Sequence, residues 1–286
     1  MKLALGTVQF GVDYGISNTL GKTHRKEIKK ILNLAKSENI TTIDTASAYG
    51  NAEAELGQCS LSPFDIVSKI PPIPNLTNVD DFITKTVKQS LCDLNCDALY
   101  GLLLHRFEDF KQFPVALDCL KQLKADNKVK KLGVSLYSPN QLNDDVLTFA
   151  DLIQLPLNIF DQRFVLSNSL KQLKAANVEI HTRSAFLQGL LLMHSGTHPD
   201  YFKPIAPLLE KLTKLSNHLN ISKLSLALNY VVNINEVDKV VLGVNSEQQL
   251  NEILSNLTTS VSHIDFSEFS LVDEQFINPA RWQLNR

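Results

Sequence analysis

Eight short runs of β-branched and apolar residues, each followed by a stretch with helical spacing, set the pattern of this chain. The runs are Leu3 to Leu5, Thr41 to Asp44, Phe64 to Ile70, Ala98 to Leu104, Lys131 to Ser135, Leu152 to Leu155, Glu179 to Thr182 and Lys239 to Val244. Their length and content read as strands. Between them apolar residues recur every third or fourth position, as in Ile28, Ile31, Leu32 and Ala35, in Val79, Phe82, Ile83 and Val87, and in Leu208, Leu209, Leu212, Leu215 and Leu219. That is the stripe of a helix with one buried face. Ser138-Pro139-Asn140-Gln141 and Ser246-Glu247-Gln248-Gln249 each place a hydroxyl three residues ahead of a glutamine, which marks a helix start. No Pro/Gly/Ser-rich linker interrupts the alternation. The pattern predicts an α/β protein of one domain, a closed (β/α)8 TIM barrel over residues 1–286. A doubly wound sheet is the rival, but Gly6, Gly11, Gly15 and Gly21 are wrongly spaced for its Gly-x-Gly-x-x-Gly phosphate turn.

Composition narrows what such a barrel meets. With 28 basic and 30 acidic side chains the formal net charge is −2, which gives no field for bulk nucleic-acid binding. Hydrophobic residues at 44% and charged residues at 20% support a large core and not disorder. Among the longest uncharged stretches, Ser184 to Pro199 is broken by Gln188, Gly189, His194 and His198. It falls short of the roughly 20 apolar residues a spanning helix needs, so no membrane contact is expected. Residues Met1 to Gly15 show no small-x-small cleavage pattern and read as a first strand. Four cysteines, Cys59, Cys92, Cys96 and Cys119, are too sparse for a disulfide framework and lack metal-ligand spacing. A cytoplasmic protein without structural zinc is expected. Cys92 and Cys96, four apart, read as half-buried small apolar residues of a helix.

In a parallel barrel the chemistry sits where strands run into the loops that follow them. The second strand runs into Asp44-Thr45-Ala46-Ser47-Ala48-Tyr49-Gly50, the third into Ser68-Lys69-Ile70 and the fourth into Leu104-His105-Arg106. An acid, a phenol, an ammonium and an imidazole are thereby directed to one mouth, where unpaired charge is costly. A lysine beside a tyrosine is expected to lower the phenol's pKa, with Asp44 pairing the lysine and His105 polarising a carbonyl. Such a set protonates an oxygen as a carbonyl is reduced, and the hydride must come from a nicotinamide cofactor.

Asn39-Ile40-Thr41-Thr42-Ile43-Asp44-Thr45-Ala46-Ser47-Ala48-Tyr49-Gly50, with Lys69 and His105, resembles the signature and catalytic tetrad of the aldo-keto reductase family, and the resemblance extends over nearly the whole chain. It implies Tyr49 as proton donor, Lys69 and Asp44 as the residues that tune it, and His105 as the group that orients the carbonyl. It also implies NADP(H) as cofactor, with NAD(H) as the second choice. By the same resemblance Gly6 and Thr7 lie near the nicotinamide, and Ser135 and Gln154 hold its carboxamide. Arg183, Ser184, Phe186, Gln188 and Gly189 belong to the loop over the pyrophosphate, with Arg183 where many members have a stacking tyrosine. Asn245, Ser246, Gln249 and Glu252 match the adenosine-phosphate clamp, yet residues 243–256 hold no cation and two glutamates.

The family's substrate pocket is built from loops and a C-terminal tail, which points to residues 9–18, to Phe160 and to a tail over the mouth that ends near Trp282. Trp282 reads equally as a stacking surface for substrate or as a staple for the tail. The Leu5 to Gly11 opening, the Phe-Leu-Gln-Gly segment and the Asn-Pro-x-x-Trp ending resemble a bacterial subgroup often associated with surface-polysaccharide genes, which implies a small-molecule carbonyl substrate such as a sugar or nucleotide sugar. Two other functions stay open from sequence. One is a cofactor-binding sensor of the same fold with little turnover, and the other is a lyase using Lys69 as a Schiff-base nucleophile.

Overall fold

The structure is a computed structural model and describes residues 1–75, 78–257 and 261–284. Eight parallel strands close into a barrel in sequence order. They are β1 (Leu3–Gly6), β2 (Thr42–Asp44), β3 (Asp65–Ile70), β4 (Leu99–Leu104), β5 (Val129–Ser135), β6 (Leu152–Pro156), β7 (Glu179–Arg183) and β8 (Lys239–Gly243). Closure is made by β1 pairing with β8, with Leu3 opposite Val240 and Gly6 opposite Gly243. Each expected strand is present, with ends shifted by a residue or two.

The outer layer is helical: α1 (Arg25–Ser37), α2 (Ala52–Gly57), α3 (Val79–Leu94), α4 (Pro114–Ala125), α5 (Asp144–Phe149), α6 (Ser169–Ala175), α7 (Ala206–Leu219), α8 (Lys223–Val232) and α9 (Glu247–Ser255). The face of α1 that packs on the barrel is Ile28, Ile31, Leu32 and Ala35, the residues its spacing selects. In α3 the stripe continues further than the sequence pattern marks, and Ser90 and Leu94 join Ile83 and Val87 under cover. Most apolar burial falls between strands and these helices. A second apolar cluster, from Ile159 and Phe160 through Leu209 and Leu212 to Ile277, seats the C-terminal segment against α7 and α8.

The two helix starts turn out differently. Ser246 caps α9 through the Gln249 N–H. Ser138 and Gln141 form a complete capping box, but the helix it opens is a single 3-10 turn, Pro139–Gln141. The chain then leaves helical conformation at Leu142, and Asn143 caps α5 afresh by accepting from the Val146 N–H. Among the described residues no helix is long and apolar enough to cross a membrane, and no group of His, Cys, Asp and Glu is placed to hold a metal ion.

Candidate active site

Asp44 is the last residue of β2, Lys69 the next-to-last of β3, and His105 follows β4 directly. The parallel register carries all three to the same end of the barrel, as Asp44 is opposite Val67 and Lys69 is opposite Leu103. Lys69 is 1% exposed, so its ammonium needs both a counter-charge and acceptors. It donates to Asp44 Oδ1 at 2.7 Å and to the Thr45 carbonyl at 2.8 Å. The other Asp44 oxygen accepts from Gln154 Nε2 at 2.7 Å, which ties β6 to the pair across the barrel. Lys69 Nζ lies 5.2 Å from the centre of the Tyr49 ring. The His105 ring meets Tyr49 edge-on, at 5.8 Å and 83°. The four residues singled out from sequence therefore assemble.

Tyr49 sits on the loop after β2, and two glycines fix its position. A Cβ on Gly11 would fall 1.6 Å from the Tyr49 carbonyl oxygen, and one on Gly50 would fall 2.6 Å from the Gly11 oxygen. Gly50 also has φ of +58°. The first helical turn, Val8–Gly11, can lie directly on the Tyr49 loop only because both side chains are missing.

The electrostatics correct one expectation. Burial pushes the Tyr49 phenol well above its ordinary pKa, and the Asp44 carboxylate adds to the rise. Lys69, engaged by Asp44 and Thr45, does not reverse that rise. Tyr49 is thus a fully protonated phenol at neutral pH. His105 moves the other way, to about 4, by burial first and then by the Lys69 and Arg183 cations. Its ring is neutral at pH 7 and carries a single N–H.

A cavity of about 860 Å³ opens over this group. Asp44, Tyr49, His105, Gly6, Thr7, Gln154, Arg183, Ser184, Phe186, Gln188, Gly189, Asn245, Gln249 and Glu252 all line it. Lys69, Ser135 and Ser246 stand behind the wall. Ser135 pairs in register with Gln154, and Ser246 is turned to its helix cap. Lys69 has no face on the cavity, and its bonded ammonium is no nucleophile, which argues against the Schiff-base lyase.

The loop after β7 is bent sharply at the cavity wall. Ser184, Leu187 and Gln188 have φ of 65°, 49° and 54°, a region costly for L side chains. Gln188 Nε2 donates to the Tyr14 hydroxyl at 3.1 Å, holding this loop to the one after β1. Arg183 stacks its guanidinium on Tyr137, 4.2 Å from the ring centre, and donates to the Leu136 carbonyl at 3.2 Å. Its ring partner within the protein is Tyr137. Trp282 packs edge-on to Phe202 at 4.9 Å and donates to the Phe276 carbonyl at 3.1 Å. It is the staple of the tail, and Asn278, Pro279 and Ala280 form the cavity wall in its place.

Comparison with known proteins agrees with this geometry. The model described as "Aldo/keto reductase family" matches residues 2–274. The chain belongs to the aldo/keto reductase family. Among curated relatives, Oxidoreductase YdhF of Escherichia coli (strain K12) is 30% identical over 201 residues, 63% of this chain and 65% of that protein, so the match spans just under two thirds of the relative's length. Among solved structures, the aldo-keto reductase AKR11C1 from Bacillus halodurans, in its holo form, superposes with a TM-score of 0.71 at 18% identity, over 91% of this chain and 87% of that one. The glycerol dehydrogenase AKR11B4 from Gluconobacter oxydans gives 0.71 at 23% identity, over 96% and 88%. These two likenesses establish the barrel.

Within the aldo/keto reductase frame, Tyr137, Tyr14 and Lys223 are among the cavity residues that escaped sequence reading. Tyr137 follows β5 by two residues, so the strand-end rule reaches it. Tyr14 lies inside the segment 9–18 that the pocket argument marks but does not resolve. Lys223 opens α8, far in sequence from every strand end, and no local pattern points to it.

Proposed function

We propose that this protein is an NAD(P)H-dependent oxidoreductase that reduces an aldehyde or ketone to an alcohol, with Tyr49 as proton donor. The observation that carries the reading is the buried Lys69–Asp44 pair, 2.7 Å apart, beneath a Tyr49 that lines a large cavity with His105 at its edge.

The cavity suits a dinucleotide. Its volume of about 860 Å³ lies at the upper end for ligand pockets, where roughly 300–1,000 Å³ is usual. Buried polar atoms around it have no hydrogen-bond partner among the described residues: His105 Nδ1, Ser135 Oγ, Gln188 Oε1 and Gln9 Oε1. Buried polar groups ordinarily find partners, and a bound polar molecule supplies them. When bound, the nicotinamide supplies the hydride. Gly6, Thr7 and Gln154 would hold its end near Tyr49, with Ser135 beside Gln154 in the strand register. The loop from Arg183 to Gly189 would cover its middle, and Asn245, Gln249 and Glu252 would meet the adenosine, with Ser246 capping α9 behind them.

The protein's own steps then follow. The neutral His105 ring directs its N–H at the carbonyl oxygen of the substrate and polarises it. The Tyr49 hydroxyl gives that oxygen its proton. Burial makes the resulting phenolate costly, and the Lys69 ammonium beside the ring is the charge that offsets it. Asp44 and Gln154 keep that ammonium in place. Sugars and nucleotide sugars are the carbonyl compounds to assay first, on the subgroup resemblance of the N- and C-terminal segments. The cytoplasm is the proposed compartment, on the sparse cysteines.

Tyr49→Phe is expected to cut turnover at least about 10³-fold, within the range for removing a positioned acid, while NADH or NADPH affinity stays within a factor of about two. Steady-state reduction assays and calorimetric titration read the two quantities. A variant that keeps its turnover removes Tyr49 as the acid. Wild-type protein that binds the dinucleotide but reduces no carbonyl across a broad panel would instead support the sensor.

A further inference from the structure

The two ends of the cavity differ in charge. With the nicotinamide end at Tyr49, an extended dinucleotide brings its adenosine to the turn between β8 and α9, where Asn245, Gln249 and Glu252 form the wall. A helix N-terminus is ordinarily a place for anions, because its N–H groups are free and its dipole is positive. Here the N–H groups of Glu247 and Gln249 are already taken, and so is that of Asn245 just before the cap. The Asn245 N–H donates to Gln249 Oε1 at 2.7 Å, and the Gln249 N–H donates to Ser246 Oγ at 3.1 Å. The Glu247 N–H donates to the Glu27 carboxylate at 2.8 Å, which reaches over from α1. That bond holds the Glu27 carboxyl below the usual carboxylate range.

Three of the cations on or just before α1 already have partners. Lys30 pairs with Glu27 itself at 3.2 Å. Arg25 pairs with Glu55 at 2.7 Å, and Lys22 donates to Asn51 at 2.5 Å. Of the described residues lining the cavity, the lysines and arginines are Arg183 and Lys223 alone. Arg183 is stacked beside the catalytic group, and Lys223 donates to the Met193 carbonyl next to the bent β7 loop.

We propose that Glu27 makes this protein select NAD(H) over NADP(H), its carboxylate occupying the N-terminus of α9 where a 2′-phosphate would need positive charge. Lys223 is left to face the diphosphate that both dinucleotides share. The inference rests on the reductase reading above and departs from the family habit that puts NADP(H) first. A 2′-phosphate brings about −1.5 to −2 charges toward Glu27 and Glu252, whereas a free 2′-hydroxyl can donate to a carboxylate.

The test is calorimetric titration of the purified full chain with NADH and with NADPH, without substrate. Wild type is expected to bind NADH at least about tenfold more tightly, about 1.4 kcal/mol, with the gap shrinking as salt is raised, because the repulsion is screened. Glu27→Gln is expected to close the gap to about threefold or less, chiefly by tightening NADPH, and Glu27→Lys to reverse it. Thermal unfolding of each variant checks that it is folded, and the salt series on wild type needs no variant at all. Equal or tighter binding of NADPH by wild type, or a gap indifferent to both salt and Glu27, overturns the proposal and leaves the reductase reading intact. Failure to bind either dinucleotide overturns both.

Discussion

His105 shows how far a single side chain is set by its surroundings. Burial and two neighbouring cations bring its pKa from 6.5 to about 4. The unfolded chain therefore holds a proton on this ring at pH values where the folded protein does not. The stability due to the neutral ring is complete above about pH 6.5 and is lost as pH falls toward 4, on the order of 3 kcal/mol in all. Urea unfolding at about pH 7.5 and about pH 5 should show a larger loss in wild type than in His105→Gln. An equal loss in both would mean that the ring is not desolvated as described. The residue types of the site were legible in the sequence because they fall at strand ends. The direction of the Tyr49 pKa was not, since it depends first on how deeply the closed barrel buries the phenol and then on the Asp44 carboxylate beside it.

At the level of elements, placement of Tyr49, the proposed proton donor, depends on two backbones in contact. Gly11→Ala forces the Val8–Gly11 turn off the Tyr49 loop, as the added Cβ has 1.6 Å to the Tyr49 oxygen. Overpacking of this kind costs about 1–3 kcal/mol. Turnover should fall at least about tenfold, since small misplacements of a reacting group are expensive. Denaturant titration and kcat measured on the same preparation test both parts, and unchanged kcat would show that Tyr49 does not depend on this contact. The stretch after β5 illustrates what local signals leave open. Its capping box forms as the residues dictate, yet the helix stops after one turn and restarts at Asn143. Local hydrogen bonding opened that helix, and where the chain must go next closed it.

Across the whole molecule, one arginine stands out among the polar ties that hold the C-terminal segment to the barrel. Arg163 grips Asp161 with Nε and Nη2 at 2.8 Å each, donates to the Tyr137 carbonyl at 3.0 Å, and reaches Glu274 at 2.9 Å. Glu274 also holds Arg281 at 2.6 Å. Glu274→Ala releases both arginines from the tail. Limited proteolysis should then cut after residue 270 several times faster, with KM for the carbonyl substrate raised and the unfolding midpoint of the barrel little changed. Equal cleavage rates would show that the tail's other contacts, the Trp282 staple among them, hold it without Glu274. The alternation of strand and helix, the faces that helices bury and the four residue types at three strand ends follow from local preference and period, so the sequence by itself determined them. Contacts between segments distant along the chain were decided by the closed barrel: Gln154 on Asp44, Arg183 on Tyr137, Glu27 on the N-terminus of α9. Each depends on how far apart two side chains lie once eight strands have closed, a distance that no local preference encodes.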